Sequence, residues 1–158
     1  MVVMAFNEFP KIWLYNIFIL LLLILTSFGC NEMETDLVWL NNLPSAMAQA
    51  RQQDKPIFMF FSATWCGNCR RLEKAALRDD ETVTMLSQFV LLKLDLDESP
   101  LTAEQYGVQT VPMLLILGSD GTPYNAIFGV LSPASIRSFL VRGQLAYDEA
   151  MKQEESDE

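Results

Sequence analysis

The stretch Ile57–Cys69, IFMFFSATWCGNC, constrains this chain more than any other. Ile57–Phe61 is apolar without alternation, the pattern of a strand covered on both faces. A short turn follows, then Cys66 and Cys69 at a spacing of three. On a helix that spacing puts both on one face, one turn apart, within reach of a disulfide. The first cysteine would sit where a helix N-terminus leaves N–H groups unpaired. Those groups and the helix dipole favour the thiolate, so such a pKa falls from about 8.5 to roughly 3.5–7.5. A thiolate is the attacking species in disulfide exchange, and a second thiol one turn on resolves the mixed disulfide. The spacing therefore points to reversible dithiol/disulfide chemistry, with Cys66 attacking and Cys69 resolving.

Two blander readings of a lone CxxC stand beside this one. It can be half of a zinc site, but zinc normally takes four ligands, and this chain has three cysteines and no histidine. No second ligand cluster is visible, so no metal is expected. It can also be a static disulfide, although so small a loop constrains little of the unfolded chain. The absence of histidine excludes Ser–His–Asp and Cys–His catalysis. A net charge of −9 argues against a nucleic-acid partner. With 158 residues there is room for one core of ordinary size.

WCGNC entered from an apolar strand resembles the active site of the thioredoxin superfamily, and further segments match in order. Lys93–Asp97 resembles the family's third strand, Gly107–Pro112 its approach to a cis-proline, and Phe128–Ser132 its last strand and the entry to the final helix. Cys69–Lys74 and Asp79–Val83 are most similar to the C-terminal, thioredoxin-like domain of the membrane disulfide reductase DsbD. The resemblance covers roughly Leu37–Leu140. It implies an α/β, thioredoxin-like fold: a central mixed β-sheet flanked by helices. It also implies a thiol–disulfide oxidoreductase acting on protein thiols and disulfides. No cofactor is implied beyond the Cys66–Cys69 dithiol itself. Trp65 would border the reactive cysteine; the alternative is a packed core tryptophan. Gly67 and Asn68 fill the pair's interior, where many thioredoxins have Gly-Pro. A cis Val111–Pro112 bond would face the cysteines, with Val111 offering backbone groups to an extended substrate.

One departure from the family pattern stands out. Thioredoxins and the DsbD domain carry a buried aspartate six residues before the first cysteine; this chain has Phe60 there. The family lysine that pairs with that aspartate corresponds to Lys93, left to point elsewhere. Glu73 lies four residues after Cys69, on the same helix face. It matches a glutamate near the site in the DsbD domain, and is expected either to influence titration of the pair or to be a solvated helix carboxylate. Arg70, Arg71 and Lys74 either support a nearby thiolate or form an ordinary solvated face.

The ends carry the remaining information. Residues 1–30 read as a signal peptide or membrane anchor: Ile12–Leu25 is almost wholly apolar, with Lys11 just before it and acidic residues just after. Cys30, the odd cysteine, follows TSFG in a pattern resembling a bacterial lipoprotein cleavage site, and is the lipidation candidate. Either form of attachment would put the domain in the cell envelope, on the periplasmic or extracytoplasmic side, with another membrane protein as electron donor. Residues 31–36 read as a tether, 37–147 as the domain, and 148–158 as an acidic disordered tail. Within the domain, Asn42, Asp79 or Asp80, Ser99 and Ser132 are expected helix caps.

The expected function is net reduction of disulfides in exported proteins. The alternatives are a thiol oxidase or isomerase, and a non-enzymatic interaction module on the same fold.

Overall fold

Ile57–Ser62, the strand β2, is buried at every residue, and the pleat sends its side chains in two directions. Phe58 and Phe60 enter one core with Leu72, Leu86, Ile136, Phe139 and Leu140. Ile57, Met59 and Phe61 enter a second core with Ala46, Ala50, Leu92, Ala103 and Leu117. One unalternating apolar run therefore makes two cores, one on each face of the sheet.

The computed structural model of the chain describes residues 37–157. The expected signal peptide or anchor at 1–30, with Cys30, and the expected tether at 31–36 lie outside the described residues. In chain order, β1 (Trp39–Leu40) leads to α1 (Leu43–Gln53) and then to β2. Next come α2 (Gly67–Ala75), a 3₁₀ turn (Ala76–Arg78), α3 (Asp80–Leu86) and β3 (Val90–Asp95). The chain closes with α4 (Pro100–Gln105), β4 (Met113–Leu117), β5 (Pro123–Phe128) and α5 (Pro133–Asp157).

The five strands form one mixed sheet in the order β1-β3-β2-β4-β5. β1 and β2 run parallel to β3, whereas β4 is antiparallel to both β2 and β5. This is the expected mixed sheet flanked by helices. Among the described residues, no helix is long and apolar enough to cross a membrane.

The helix starts follow local chemistry. The Asn42 side chain accepts from the Ser45 N–H at 2.9 Å, with Pro44 in the first turn. The Asp79 carboxylate accepts from the Thr82 N–H at 3.1 Å, and the Ser132 hydroxyl from the Ser135 N–H at 3.1 Å. Ser99 is the exception. Helix α4 starts where expected, but the Ser99 side chain makes no capping bond. Its backbone N–H is tied to the Asp95 carbonyl instead, at 2.9 Å. Gly107, at φ +65°, ends the turn after α4 in a conformation that suits glycine.

The C-terminus corrects the sequence reading. The residues from Asp148 onward are helical, and α5 runs to Asp157 rather than giving way to a disordered tail. No glycine or proline follows Gly143, and Ala, Glu, Met, Lys and Gln are all good helix formers. Gln144 donates to Asp148 at 2.9 Å across one turn. Buried Tyr147 packs edge-on against Tyr124 of β5, ring centroids 5.7 Å apart. The acidic residues beyond are an extension of an anchored helix.

Helix α5 comes close against the sheet at Gly143. A Cβ there would collide with Cγ1 of Ile116 on β4 and stand only 3.0 Å from its Cβ and 3.2 Å from its Cγ2. Alanine is worth about 1 kcal/mol over glycine in a helix interior, but overpacking costs about 1–3 kcal/mol. Atoms this near the Ile116 backbone cannot swing aside, so the clash prevails. Gly143→Ala is expected to lower the urea midpoint of the domain, where helix propensity alone would raise it.

A second tie joins α5 to α3. The Asp79 carboxylate receives Arg137 at 2.6 Å, and Glu81 receives the same guanidinium at 3.1 Å. Its bonds from Thr82, and then the Arg137 charge, hold the Asp79 pKa below its ordinary 3.8. A carboxylate whose pKa is lowered by folding adds stability above its unfolded pKa and loses it as pH falls through the folded value. Urea midpoints at pH 7 and at about pH 3 should therefore fall further in the parent than in Asp79→Asn, which is the less stable of the two at pH 7.

Candidate functional site

The site is built where β2 ends. Beyond Ser62 the chain turns through Ala63–Trp65, with the Cys66 N–H bonded to the Ala63 carbonyl at 3.0 Å. Cys66 is the N-cap of α2. Its Sγ occupies the position of a capping oxygen and accepts the Cys69 N–H at 3.0 Å. Cys66 and Cys69 are joined in a disulfide, with Cα atoms 5.3 Å apart. Cys66 retains 5% exposure and Cys69 none. The pair is thus asymmetric: one sulfur borders solvent and the other is closed off behind it. Among the described residues, no group of three or more His, Cys, Asp or Glu side chains is placed to hold a metal.

The residues around the pair take up distinct positions. Trp65 is 63% exposed, so it is no core tryptophan; its indole Nε1 donates to Asp97 Oδ2 at 2.8 Å. Asp97 is held in turn by its N–H bond to Asp95 Oδ1, at 2.9 Å. Gly67 and Asn68 are exposed in the first turn of α2. The Val111–Pro112 bond is cis, as the resemblance implied. Val111 packs against the buried cluster that contains both cysteines. Among the described residues, no hydrogen bond engages its backbone N–H or C=O. The Pro112 carbonyl accepts from Gly129 at 3.0 Å, which ties the cis-proline turn to the end of β5 and its exposed neighbours Phe128 and Val130.

Glu73 is placed by a different interaction from the one that drew attention to it. Its Oε2 receives Lys93 Nζ at 2.8 Å, with both side chains partly exposed. Lys93 is the cross-strand neighbour of Phe60, and its ammonium stands 5.7 Å from the centre of that buried ring. So Phe60 fills the aspartate's position, and Lys93 bridges over the ring to a carboxylate on α2.

Two contacts were not legible in the sequence. Asp97 serves Trp65 from 32 residues away, and no local pattern marks that pairing. The Arg70 guanidinium folds back to donate to the Thr64 carbonyl at 2.9 Å; only the proximity of a basic residue to the cysteine pair hinted at it. The chemistry also lies outside the larger grooves. One of about 530 Å³, bordered by Lys55, Phe89, Val141 and Gln144, shares no residue with the site.

A family profile described as thioredoxin-like matches residues 38–119, just over half of the chain. A thioredoxin of Alicyclobacillus acidocaldarius is 36% identical over 81 residues, covering 51% of this chain and 74% of that protein. A thioredoxin of Mycobacterium tuberculosis is 34% identical over 83 residues, covering 52% of this chain and 69% of that protein. Among solved structures, a thioredoxin of Thermus thermophilus superposes with a TM-score of 0.62 at 22% identity. It covers 68% of this chain and 87% of its own. The DsbH oxidoreductase superposes with a TM-score of 0.61 at 19% identity, covering 77% and 99%. At those identities the two structures speak for the fold alone. A strand buried on both faces, a helix capped by the first cysteine of its CxxC, the cis-proline turn and the profile match agree: this chain belongs to the thioredoxin-like family.

Proposed function

We propose that this chain is a membrane-tethered thiol–disulfide oxidoreductase that reduces disulfides of exported proteins. The observation that carries the chemistry is the asymmetric pair, with Cys66 Sγ at the solvent border and at the N-cap of α2, and Cys69 buried behind it. In the reduced protein, the Cys69 N–H and the helix N-terminus favour a thiolate at Cys66. That thiolate attacks one sulfur of a substrate disulfide. A Cys66–substrate bond forms, and the other substrate sulfur leaves as a thiolate that takes up a proton. Cys69 then loses its proton and attacks Cys66 Sγ, closing the Cys66–Cys69 disulfide and releasing the second substrate thiol. Two electrons pass from the dithiol to the substrate. The free backbone groups of Val111, flanked by exposed Phe128 and Val130, suit an extended polypeptide added as a strand.

Direction and location rest on the sequence. The likeness of Cys69–Lys74 and Asp79–Val83 to the DsbD domain supports net reduction, with electrons supplied by a separate membrane protein. The apolar run at 12–28 and Cys30 support attachment on the outer side of the cytoplasmic membrane, by lipid or by an anchor helix. Glu73, held by Lys93, is proposed to influence titration of the pair and to assume part of the proton transfer that Phe60 cannot perform. An unaltered pH profile of Cys66 alkylation in Glu73→Gln would refute that role.

Phe60 is also the observation that favours a second reading, an interaction module with little turnover. Two measurements on the full chain in detergent decide between these readings. A Cys69→Ser variant of an enzyme accumulates mixed disulfides through Cys66, whereas a module's partners stay bound when both cysteines are replaced. A Cys66–Cys69 potential near about −270 mV supports a reductase, and one near about −120 mV an oxidant. A pair that does not cycle at all would leave only the module.

A further inference from the structure

Arg70 is fixed where an exposed helix arginine would ordinarily be free. Its Nη1 is bonded to the Thr64 carbonyl at 2.9 Å, and its Nη2 lies 3.8 Å from where a Cβ on Gly67 would stand. The guanidinium thus spans from the residue before Trp65 to the residue after Cys66, against the outside of the loop that holds the reactive sulfur. Helical spacing puts Gly67, Arg70 and Lys74 on one exposed stripe running away from that loop. With Arg71 and with Arg78 in the 3₁₀ turn beyond, four of the chain's eleven basic residues fall between 70 and 78, in a protein of net charge −9. The acidic groups around the site are each engaged: Asp97 by the indole of Trp65, Asp95 by the Asp97 N–H and Glu73 by Lys93.

We propose that Arg70, with Lys74 behind it, makes the protein select disulfides that carry a carboxylate beside the reacting sulfur, as in an acidic peptide segment. This rests on the thiol–disulfide exchange proposed above. One of the guanidinium's five N–H donors is used by Thr64, and the side chain is otherwise exposed. A carboxylate next to the attacked sulfur then meets the positive charge that Thr64 and Gly67 hold beside Cys66, and the attraction is one of charge. The exchange itself is unchanged: Cys66 bonds to the near substrate sulfur, the substrate S–S bond breaks and the far sulfur leaves as a thiolate. Arg70 acts on the neighbouring carboxylate and alters how often the encounter is productive. For an exposed pair in water the effect is modest and screened by salt, about 2–5-fold in rate.

The test uses the full chain, reduced with dithiothreitol and desalted, against three disulfides of similar size. These are 3,3′-dithiodipropionate (anionic), 2-hydroxyethyl disulfide (neutral) and cystamine (cationic). Closure of the Cys66–Cys69 disulfide is followed by quenched alkylation, and free dithiothreitol serves as reference for each probe's intrinsic reactivity. The expected result is a preference for the anionic over the cationic probe, relative to dithiothreitol, that shrinks in about 0.5 M salt. Arg70→Gln should lower that ratio about 2–5-fold, and Arg70→Lys should keep most of it. A wild-type ratio equal to dithiothreitol's, or insensitive to salt, overturns the proposal without any variant. So does an Arg70→Lys variant that behaves as Arg70→Gln does, which would reduce Arg70 to a support for the Thr64 turn. Failure of the wild type to oxidise with any of the three probes would instead bring down the exchange reading, and this inference with it.

Discussion

The structure depends on β2 being covered on both faces. Once Phe58 and Phe60 are committed to one layer and Ile57, Met59 and Phe61 to the other, the strand has to be central, with a neighbour on each edge. β3 lies along one edge in parallel and β4 along the other in antiparallel. Each buried side chain of this size contributes about 1.5–3 kcal/mol relative to an exposed one. A slip of one residue would exchange the two cores, so the register is strongly specified. The position of the cysteine pair follows from that register. Cys66 is reached three residues after the strand leaves the sheet at Ala63, while the first turn of α2 still sits over the same core as Phe60.

The first turn of α2 then turns a packing problem into chemistry. A helix N-terminus leaves donors that need acceptors, and here sulfur supplies one of them through the Cys66–Cys69 contact. The group that caps the helix is the group that reacts. Any change in the sulfur's charge or bonding is felt by the helix, and the helix in turn stabilises the charged form. Burial of Cys69 beneath Cys66 gives the pair an order, because an incoming molecule meets Cys66 first.

Much of this was legible in the chain, and the exceptions have identifiable causes. The apolar run, the CxxC spacing, the Asn42, Asp79 and Ser132 caps and the Gly107 stop are local signals, legible because each acts within about one short element. The Ser99 side chain does not cap because its backbone, at ψ 49°, is not extended as at Asn42 and Asp79, where ψ is 141° and 129°. The tail failed because its acidic composition was weighed without Tyr147, whose contact with Tyr124 on a distant strand anchors the helix that the tail extends. Trp65–Asp97 and Glu73–Lys93 escaped for the same reason: they join residues far apart in the chain, and a single sequence does not show that.

The Phe60 position shows what such a rearrangement means physically. A carboxylate fully buried at that point would lose its hydration, an effective penalty of several kcal/mol per ion unless it were well paired. A phenyl ring there has no such cost and adds apolar contact to the core around the cysteines. The lysine on the adjacent strand is left without a buried partner. It keeps its ammonium near the solvent, over the face of the ring, and finds Glu73 on the helix that begins at Cys66. The carboxylate and the ammonium both lie where water reaches them. A charge in that position is more strongly screened than a buried one. Whatever influence it has on the sulfur chemistry must therefore be weaker and more sensitive to salt than a buried group's would be. The thiolate at Cys66 then relies correspondingly more on the helix terminus that holds it.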